Sequence, residues 1–578
     1  MHALRWSLPY IKKYWGRLAF AQLMNFINIM LGLVTPLIIG LIVANVIQDG
    51  QHQLLYRYLG ILLGITVYRS ITRFIFLMIF ENTSQKVLFA MRQDIYHKLH
   101  IQNFTWFDKN RVGDIMSRMT GDLEAIRHFT AFTLHNIPEN VVMYFAAIIV
   151  MGFISLPLTL VMTITTPVVL YAAFKQYKDM RPAFRNVREQ FSNLNSICGE
   201  NIGGNRVVKA FTKEAHEIEK FEAVNRAFHD SNLDAAKVRV KYFPVMETCS
   251  QLLPWFLLLF GGMMVIWGHL ELWQLIAFSG YLWMLNNPTR MFAMGANDLQ
   301  NAATSLDKIY EMMRQPIQIK DPEQPHPCHS IEGAIEFRNV TFKHNPYEKD
   351  TFALKNISFR AEKGQTVGIV GQTGSGKTTL MALISRFYDA SEGEVLVDGI
   401  NVKDYSLSNL RAQISYAKQD VFLYSDTVEG NIAFGFPDAP MNTVYDAAKI
   451  ADAHDFILEM SEGYDTIVGE RGVGLSGGQK QRISLARAIA TNPAVLILDD
   501  VTSAVDMETE QRIQQALAEK VSQSGRACTT FIVAHRLSSV KYADFILVME
   551  NGKIIERGTH ETLLQQGGYY SQMYNEQH

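Results

Sequence analysis

The run Thr366-Val367-Gly368-Ile369-Val370-Gly371-Gln372-Thr373-Gly374-Ser375-Gly376-Lys377-Thr378 decides how this chain reads. Its first five residues have the pattern of a short buried strand, and a helix-forming stretch follows Thr378. Between them lies a glycine-spaced loop closing on Lys-Thr, the strand–loop–helix context of a phosphate site. Gly371, Gln372, Thr373, Gly374, Ser375 and Gly376 are expected to wrap backbone N–H groups around phosphate oxygens, and the helix N-terminus adds a favourable dipole. Lys377 is expected to reach the outer phosphates. The Thr378 hydroxyl is expected to bind Mg²⁺, with Thr379 beside it.

Further along, Ala494-Val495-Leu496-Ile497-Leu498-Asp499 reads as a second buried strand ending in a carboxylate. Asp499 is placed to hold Mg²⁺ through water, as the acidic partner of the phosphate loop. Just before it, Leu475-Ser476-Gly477-Gly478-Gln479 leads into a helix from Ile483 to Ala490. A serine and two glycines at a helix start again suit an anion. Short β-branched runs alternating with helical stretches make residues 333–578 an α/β domain.

Upstream, residues 315–332 carry Pro316, Pro322, Pro325 and Pro327 among polar residues and read as a linker. Residues 1–314 are different in kind. Apolar runs cover Leu18–Ile47, Leu54–Phe80, Val141–Phe174, Phe243–Trp267 and Leu272–Met294. The third is broken at Ser155-Leu156-Pro157 and counts twice, so six membrane spans are expected, each near the roughly 20 residues needed to cross a bilayer. The short loops Gln48–Gln53, Ser155–Pro157 and Gly268–Glu271 contain no Lys or Arg, whereas Lys86–Arg127 and Lys175–Lys241 are rich in both. The positive-inside rule therefore puts both termini and the two long segments in the cytoplasm. Those segments should prolong the membrane helices, with tips at Asn110–Asp114 and Asn201–Asn205. No small-residue cleavage site follows the first run, which reads as an anchor.

Composition agrees with a chain half in membrane and half in water: 578 residues, 48% hydrophobic and 19% charged. A formal net charge of -2 gives no general attraction to nucleic acid. Cys198, Cys249, Cys328 and Cys528 are too scattered for a disulfide or metal framework. Within the spans, Arg69 and Arg73 share one helix face, and either a water-filled cavity or pairing between helices would satisfy them. Glu247, near the cytoplasmic boundary, fits an interfacial role as well as cargo contact. Methionines such as Met143, Met151, Met162, Met284 and Met291 lean mildly toward large apolar cargo.

With Leu475–Gln479 beside the phosphate loop, the sequence resembles an ATP-binding cassette (ABC) protein, and the resemblance covers nearly the whole chain. Phe104–Asp108 with Gly113–Arg118, and Val207–Glu214, are similar to the two cytoplasmic loops of ABC exporters; Thr466–Gly472 resembles an exporter-specific loop. The resemblance implies coupling helices at the two tips, and a second half-transporter as partner. It also implies that Ser476, Gly477, Gly478 and Gln479 close on the partner's ATP. Gln419 resembles the residue that senses Mg²⁺, Asp506 the loop that touches the opposite cassette, and His535 the switch histidine of the γ-phosphate.

Two positions depart from the family pattern. Asp500 stands where a glutamate normally polarises the attacking water, and it is one methylene short for general-base work. His344 stands where an aromatic tyrosine normally stacks on adenine, with Tyr347 as a substitute nearby. An intact signature beside a weak base favours a heterodimer in which this chain's own ATP site is slow, over a homodimer running on Asp500. The reading is an ATP- and Mg²⁺-dependent exporter of hydrophobic or amphipathic compounds in a bacterial cytoplasmic membrane. A lipid flippase is the rival within the fold; a nucleotide-gated channel or regulatory subunit is the rival outside it.

Overall fold

The computed structural model describes residues 2–577 apart from 328–329, 345–351, 470, 471, 473, 504 and 524–527. The chain divides into two compact units: residues 1–100 with 112–315, and residues 101–111 with 316–578.

The first unit is helical. Trp15–Gln48, Gln53–His100, Val112–Ile154, Leu156–Gly203 and Glu214–Ile266 are each long and apolar enough to cross a membrane, among the described residues. A further helix of 42 residues runs Leu272–Met313. Several of these helices present apolar side chains outward: Leu23, Leu63, Phe74, Phe153 and Ile266 all remain exposed. In water that would be costly; in hydrocarbon it is what a spanning helix requires. The expected break falls at Ser155, whose extended backbone (φ -158°, ψ 107°) separates the helix ending at Ile154 from the one beginning at Leu156. Pro157 sits in the first turn of the new helix, where its missing N–H costs nothing. Ile29, Leu33, Met151, Met162, Leu257 and Phe278 belong to the apolar centre of this unit.

The second unit is built on two sheets. Its strands are β1 (Ile335–Phe342), β2 (Leu354–Ala361), β3 (Thr366–Gly371), β4 (Glu392–Val397), β5 (Ile400–Asn401), β6 (Ile414–Ala417), β7 (Val495–Asp499), β8 (Thr529–Val533), β9 (Phe545–Glu550) and β10 (Lys553–Gly558). A four-stranded antiparallel sheet has the order β2-β1-β4-β5, and a six-stranded sheet the order β10-β9-β3-β8-β7-β6. In the larger sheet β3, β6, β7, β8 and β9 pair in parallel, and β10 returns antiparallel along β9. β8 lies between β3 and β7, pairing Gly368 with Ile532 on one side and Asp499 with Val533 on the other. Open parallel sheets bind ligands beyond the carboxyl ends of their strands, which is where Gly371 and Asp499 lie.

Three apolar clusters support this unit among the described residues, two of them bearing on the site. Phe337, Phe359, Ile369, Leu380 and Phe531 belong to the first, with the Phe337 and Phe359 rings stacked 4.8 Å apart. Val428, Ile432, Val444, Ile483 and Ile489 belong to the second, together with Leu496 and Leu498 of β7. The phosphate-loop helix (Lys377–Ile384) packs into the first core and the Gly477–Ala490 helix into the second.

Candidate functional site

The loop after β3 keeps an open cradle by using left-handed backbone. Gly374 and Gly376 have φ of +86° and +98°. A side chain at Gly376 would place its Cβ 2.5 Å from the Ala353 carbonyl oxygen, so strain and crowding both exclude one. Lys377 is buried and donates from Nζ to the carbonyls of Gly371 (2.8 Å) and Gln372 (3.0 Å), which hold its ammonium over the loop. Burial lowers its pKa, while the nearby charges of Asp499 and Asp500 oppose that shift. The Ser375 hydroxyl is buried without a hydrogen-bond partner, as expected of a group waiting for an oxygen-rich ligand.

Asp499 ends β7 with little contact to solvent. Its Oδ1 lies 3.3 Å from the Thr378 hydroxyl, and its Oδ2 accepts from the Tyr416 hydroxyl at 2.8 Å. Burial raises the Asp499 pKa, and the Tyr416 and Thr378 hydroxyls hold it down. A hydroxyl and a carboxylate this close are a suitable oxygen donor pair for Mg²⁺. Asp500 follows in a left-handed conformation (φ +53°), which turns its carboxylate away from the strand direction. Its Oδ2 accepts from Gln419 Nε2 at 3.0 Å.

The remaining expected residues fall around this centre. Nε2 of His344 is 3.3 Å from the Thr379 hydroxyl, and its ring meets Phe342 and Tyr388 edge-on with centroids 4.9 and 5.4 Å away. Tyr347 lies outside the described residues, as do Cys328, Glu470, Arg471 and Ala504. His535 is exposed just beyond β8, and its carbonyl accepts from Gln577 Nε2 at 3.0 Å. Asp506 caps the Met507–Gln523 helix by accepting from the Thr509 N–H at 2.9 Å, which keeps its carboxyl below the ordinary range.

The signature segment is organised as a helix start. The Ser476 hydroxyl accepts from the Gln479 N–H, and the Ser476 N–H donates to the Gln479 side chain, a reciprocal capping box. Ser476 and Gly477 are exposed, on a helix that belongs to a different core from the phosphate loop. The two anion-binding elements of this chain are therefore supported separately.

Sequence reasoning missed Tyr416 and Tyr388. Tyr416 sits in β6 opposite Ile497, a register that delivers its hydroxyl to Asp499; a tyrosine in a buried strand needs such a partner, which was the available signal. Tyr388 donates to Asp108 at 3.0 Å. This contact belongs to a small cluster in which Phe104 meets Phe387 at 4.5 Å and the Lys418 ammonium lies 4.6 Å from the Phe104 ring centre. The short helix Phe104–Lys109 is thus part of the cassette unit. At the second tip, the helix Asn205–Ala210 leaves Val207 exposed, with Ile202 and Phe211 exposed on either side.

In the helical unit, Arg69 and Arg73 line a cavity of about 580 Å³, and Met143, Met284 and Met291 line it too. Met151 and Met162 are packing residues of the apolar centre. Glu247 is exposed, is not among the cavity residues, and accepts from Gln251 at 3.0 Å.

A glycine-rich phosphate loop, a strand-end aspartate and an exposed Ser-Gly-Gly-Gln helix start, fused to spanning helices, define a membrane-bound cassette ATPase. Residues 18–289 match the ABC transporter transmembrane region family and residues 354–503 the ABC transporter family. An uncharacterised ABC transporter ATP-binding protein of Bacillus subtilis, YknU, is 38% identical over 573 residues, covering 99% of this chain and 96% of that protein. A putative multidrug export ATP-binding/permease protein of the same organism, YgaD, is 34% identical over 581 residues, with 99% of each covered. The structure of a bacterial Atm1-family ABC exporter with ATP bound superposes with a TM-score of 0.82 at 26% identity, covering 98% of this chain and 99% of that one. The chain belongs to the ABC transporter family, as an exporter-type half-transporter that couples ATP hydrolysis to transport. Exporters of this fold work as dimers with another half-transporter.

Proposed function

We propose that this chain is the slow-hydrolysing half of a heterodimeric exporter of amphipathic, drug-like compounds. It would stand in a bacterial cytoplasmic membrane with both termini and the cassette inside. The observation that carries the reading is Asp500, a short carboxylate tied back to Gln419 at the position where the family's catalytic base stands. The putative multidrug export relative supports the cargo class.

In this reading residues 1–314 form the transport domain, 315–332 the linker and 333–578 the cassette. His344 stacks on adenine, and residues 371–379 cradle the phosphates. Lys377 exchanges its two backbone carbonyls for phosphate oxygens. Thr378, Asp499 and Gln419 would hold Mg²⁺, which neutralises phosphate charge when bound. His535 contacts the γ-phosphate, and Asp500 orients water from too far back. A misplacement of about 1 Å can slow such a step on the order of 100-fold.

The exposed signature Ser476–Gln479 and Asp506 serve the partner cassette's nucleotide. Closure of the paired cassettes on ATP is carried to the spanning helices through Phe104–Lys109 and Asn205–Ala210. The first rests on this chain's cassette unit. The second, with its exposed Ile202, Val207 and Phe211, suits an apolar socket on the partner. The cavity then turns from inward- to outward-facing.

The test is accumulation of a fluorescent amphipathic dye in inside-out vesicles carrying both halves. Accumulation should require ATP and should vanish when Lys377→Ala is combined with the equivalent change in the partner. Accumulation that persists without ATP would sink the reading.

A further inference from the structure

The cavity of the helical unit is not lined like a site for purely apolar cargo. Asn25, Asn28, Asn136, Asn140 and Asn287 face it beside Arg69, Arg73 and Glu139. Arg73 is neutralised there: its Nη1 lies 2.8 Å from Glu139 Oε2 and 3.1 Å from Asn25 Oδ1. The same carboxylate accepts from Asn25 Nδ2 at 3.1 Å and has the buried His135 ring 3.7 Å away. Glu139 is therefore fully engaged, and its one negative charge is matched by one arginine.

Arg69 stands one helical turn before Arg73 and has no carboxylate partner among the described residues. Its guanidinium lies over Gly32, where an added Cβ would come within 3.1 Å of Nη2. The glycine leaves the space that the fork occupies. Among the described residues, two guanidiniums stand against one carboxylate in the cavity lining, one positive charge in excess. An uncompensated charge in the middle of a spanning helix is expensive, and such residues mark the path of a substrate or ion. In low dielectric that charge attracts an anion strongly, and the planar fork suits a carboxylate, sulfonate or phosphate. Met143, Met284, Met291 and Trp283 on the same cavity offer adaptable apolar and aromatic contact.

We propose that Arg69 is the anion-recognising residue of the transport cavity and that it selects amphipathic cargo carrying one negative group on an apolar body. This rests on the exporter reading above for its meaning as cargo selection, but the site itself is readable without transport.

Three matched pyrenes serve as probes: pyrenebutyrate, pyrenebutyramide and pyrenebutylamine. Binding to the full transporter in phosphatidylcholine nanodiscs, without ATP, is read by energy transfer from tryptophan. The butyrate should bind tightest. Arg69→Gln should weaken it by about tenfold, as loss of a charge-assisted fork contact does, and leave the amide within about twofold. Arg69→Lys, which keeps the charge, should restore part of the preference. Competition by phosphatidylglycerol would assign the anion to a lipid headgroup, and its absence to a free amphiphile; both sustain the site. Equal affinity for all three probes, or an equal loss of all three in Arg69→Gln, overturns it, the latter showing that Arg69 only holds the cavity's shape. ATP-driven uptake of the same pyrenes into inside-out vesicles is measured separately. Preference without uptake would refute the proposed amphipathic cargo class and keep the anion site.

Discussion

Gln419 donates from Nε2 to Oδ2 of Asp500 at 3.0 Å, so two residues expected to face the reacting phosphate face each other first. Asp500 makes this contact from a left-handed backbone (φ +53°), to a residue two positions beyond the end of β6. A glutamate there would have one methylene more reach, the length the family's catalytic base normally has.

Asp500→Glu should therefore raise hydrolysis at this chain's own site by about 10- to 100-fold. The measurement is ATPase activity of the purified pair with the partner's site disabled. Asp500→Asn in the otherwise intact pair should leave total ATPase within about twofold, because the partner's site carries it. A large loss there would mean a homodimer running on Asp500.

Tyr416→Phe removes the hydroxyl that orients Asp499. Groups that hold a metal ligand in place are worth about 10- to 100-fold in metal affinity. The Mg²⁺ concentration for half-maximal nucleotide binding, followed with a fluorescent ATP analogue, should rise by at least several-fold, while binding without Mg²⁺ stays unchanged.

Gly376→Ala forces a Cβ into a left-handed position 2.5 Å from the Ala353 carbonyl. A strained backbone of this kind costs about 1–3 kcal/mol. The variant should melt at lower temperature, and added ATP should no longer raise its Tm.

Phe104→Ala deletes the ring that meets Phe387 and the Lys418 ammonium. Aromatic pairs of this kind contribute about 0.5–1.5 kcal/mol, enough to loosen the short helix from its seat without touching the nucleotide site. Basal ATPase should remain within about twofold while dye transport in vesicles falls severalfold or more. Equal losses of both would show that Phe104 is needed for the cassette's own stability.

Much of the fold was legible because its determinants are local. The strand–loop–helix at Thr366–Thr378, the helix break at Ser155 and the Ser476 cap each depend on residues within about ten positions of one another. The long-range partners were not. Arg73 is recognisable in sequence as a charge needing a partner, but Glu139, 66 positions away at the edge of the next apolar run, carries no local sign of being that partner. Glu247 is as conspicuous in sequence, yet it pairs with Gln251 and is not among the cavity-lining residues.

The residues alone determined the family, the spanning helices, the phosphate loop and the anomaly at Asp500, since glycine spacing, apolar run length and residue type act over a single element. Only the tertiary structure decided that Glu139 neutralises Arg73 while Arg69 has no carboxylate partner among the described residues, that Tyr416 holds Asp499, and that Gln419 holds Asp500. Each of those depends on which side chains two different elements bring within hydrogen-bond distance, and that is set by sheet register and helix packing, not by spacing along the chain.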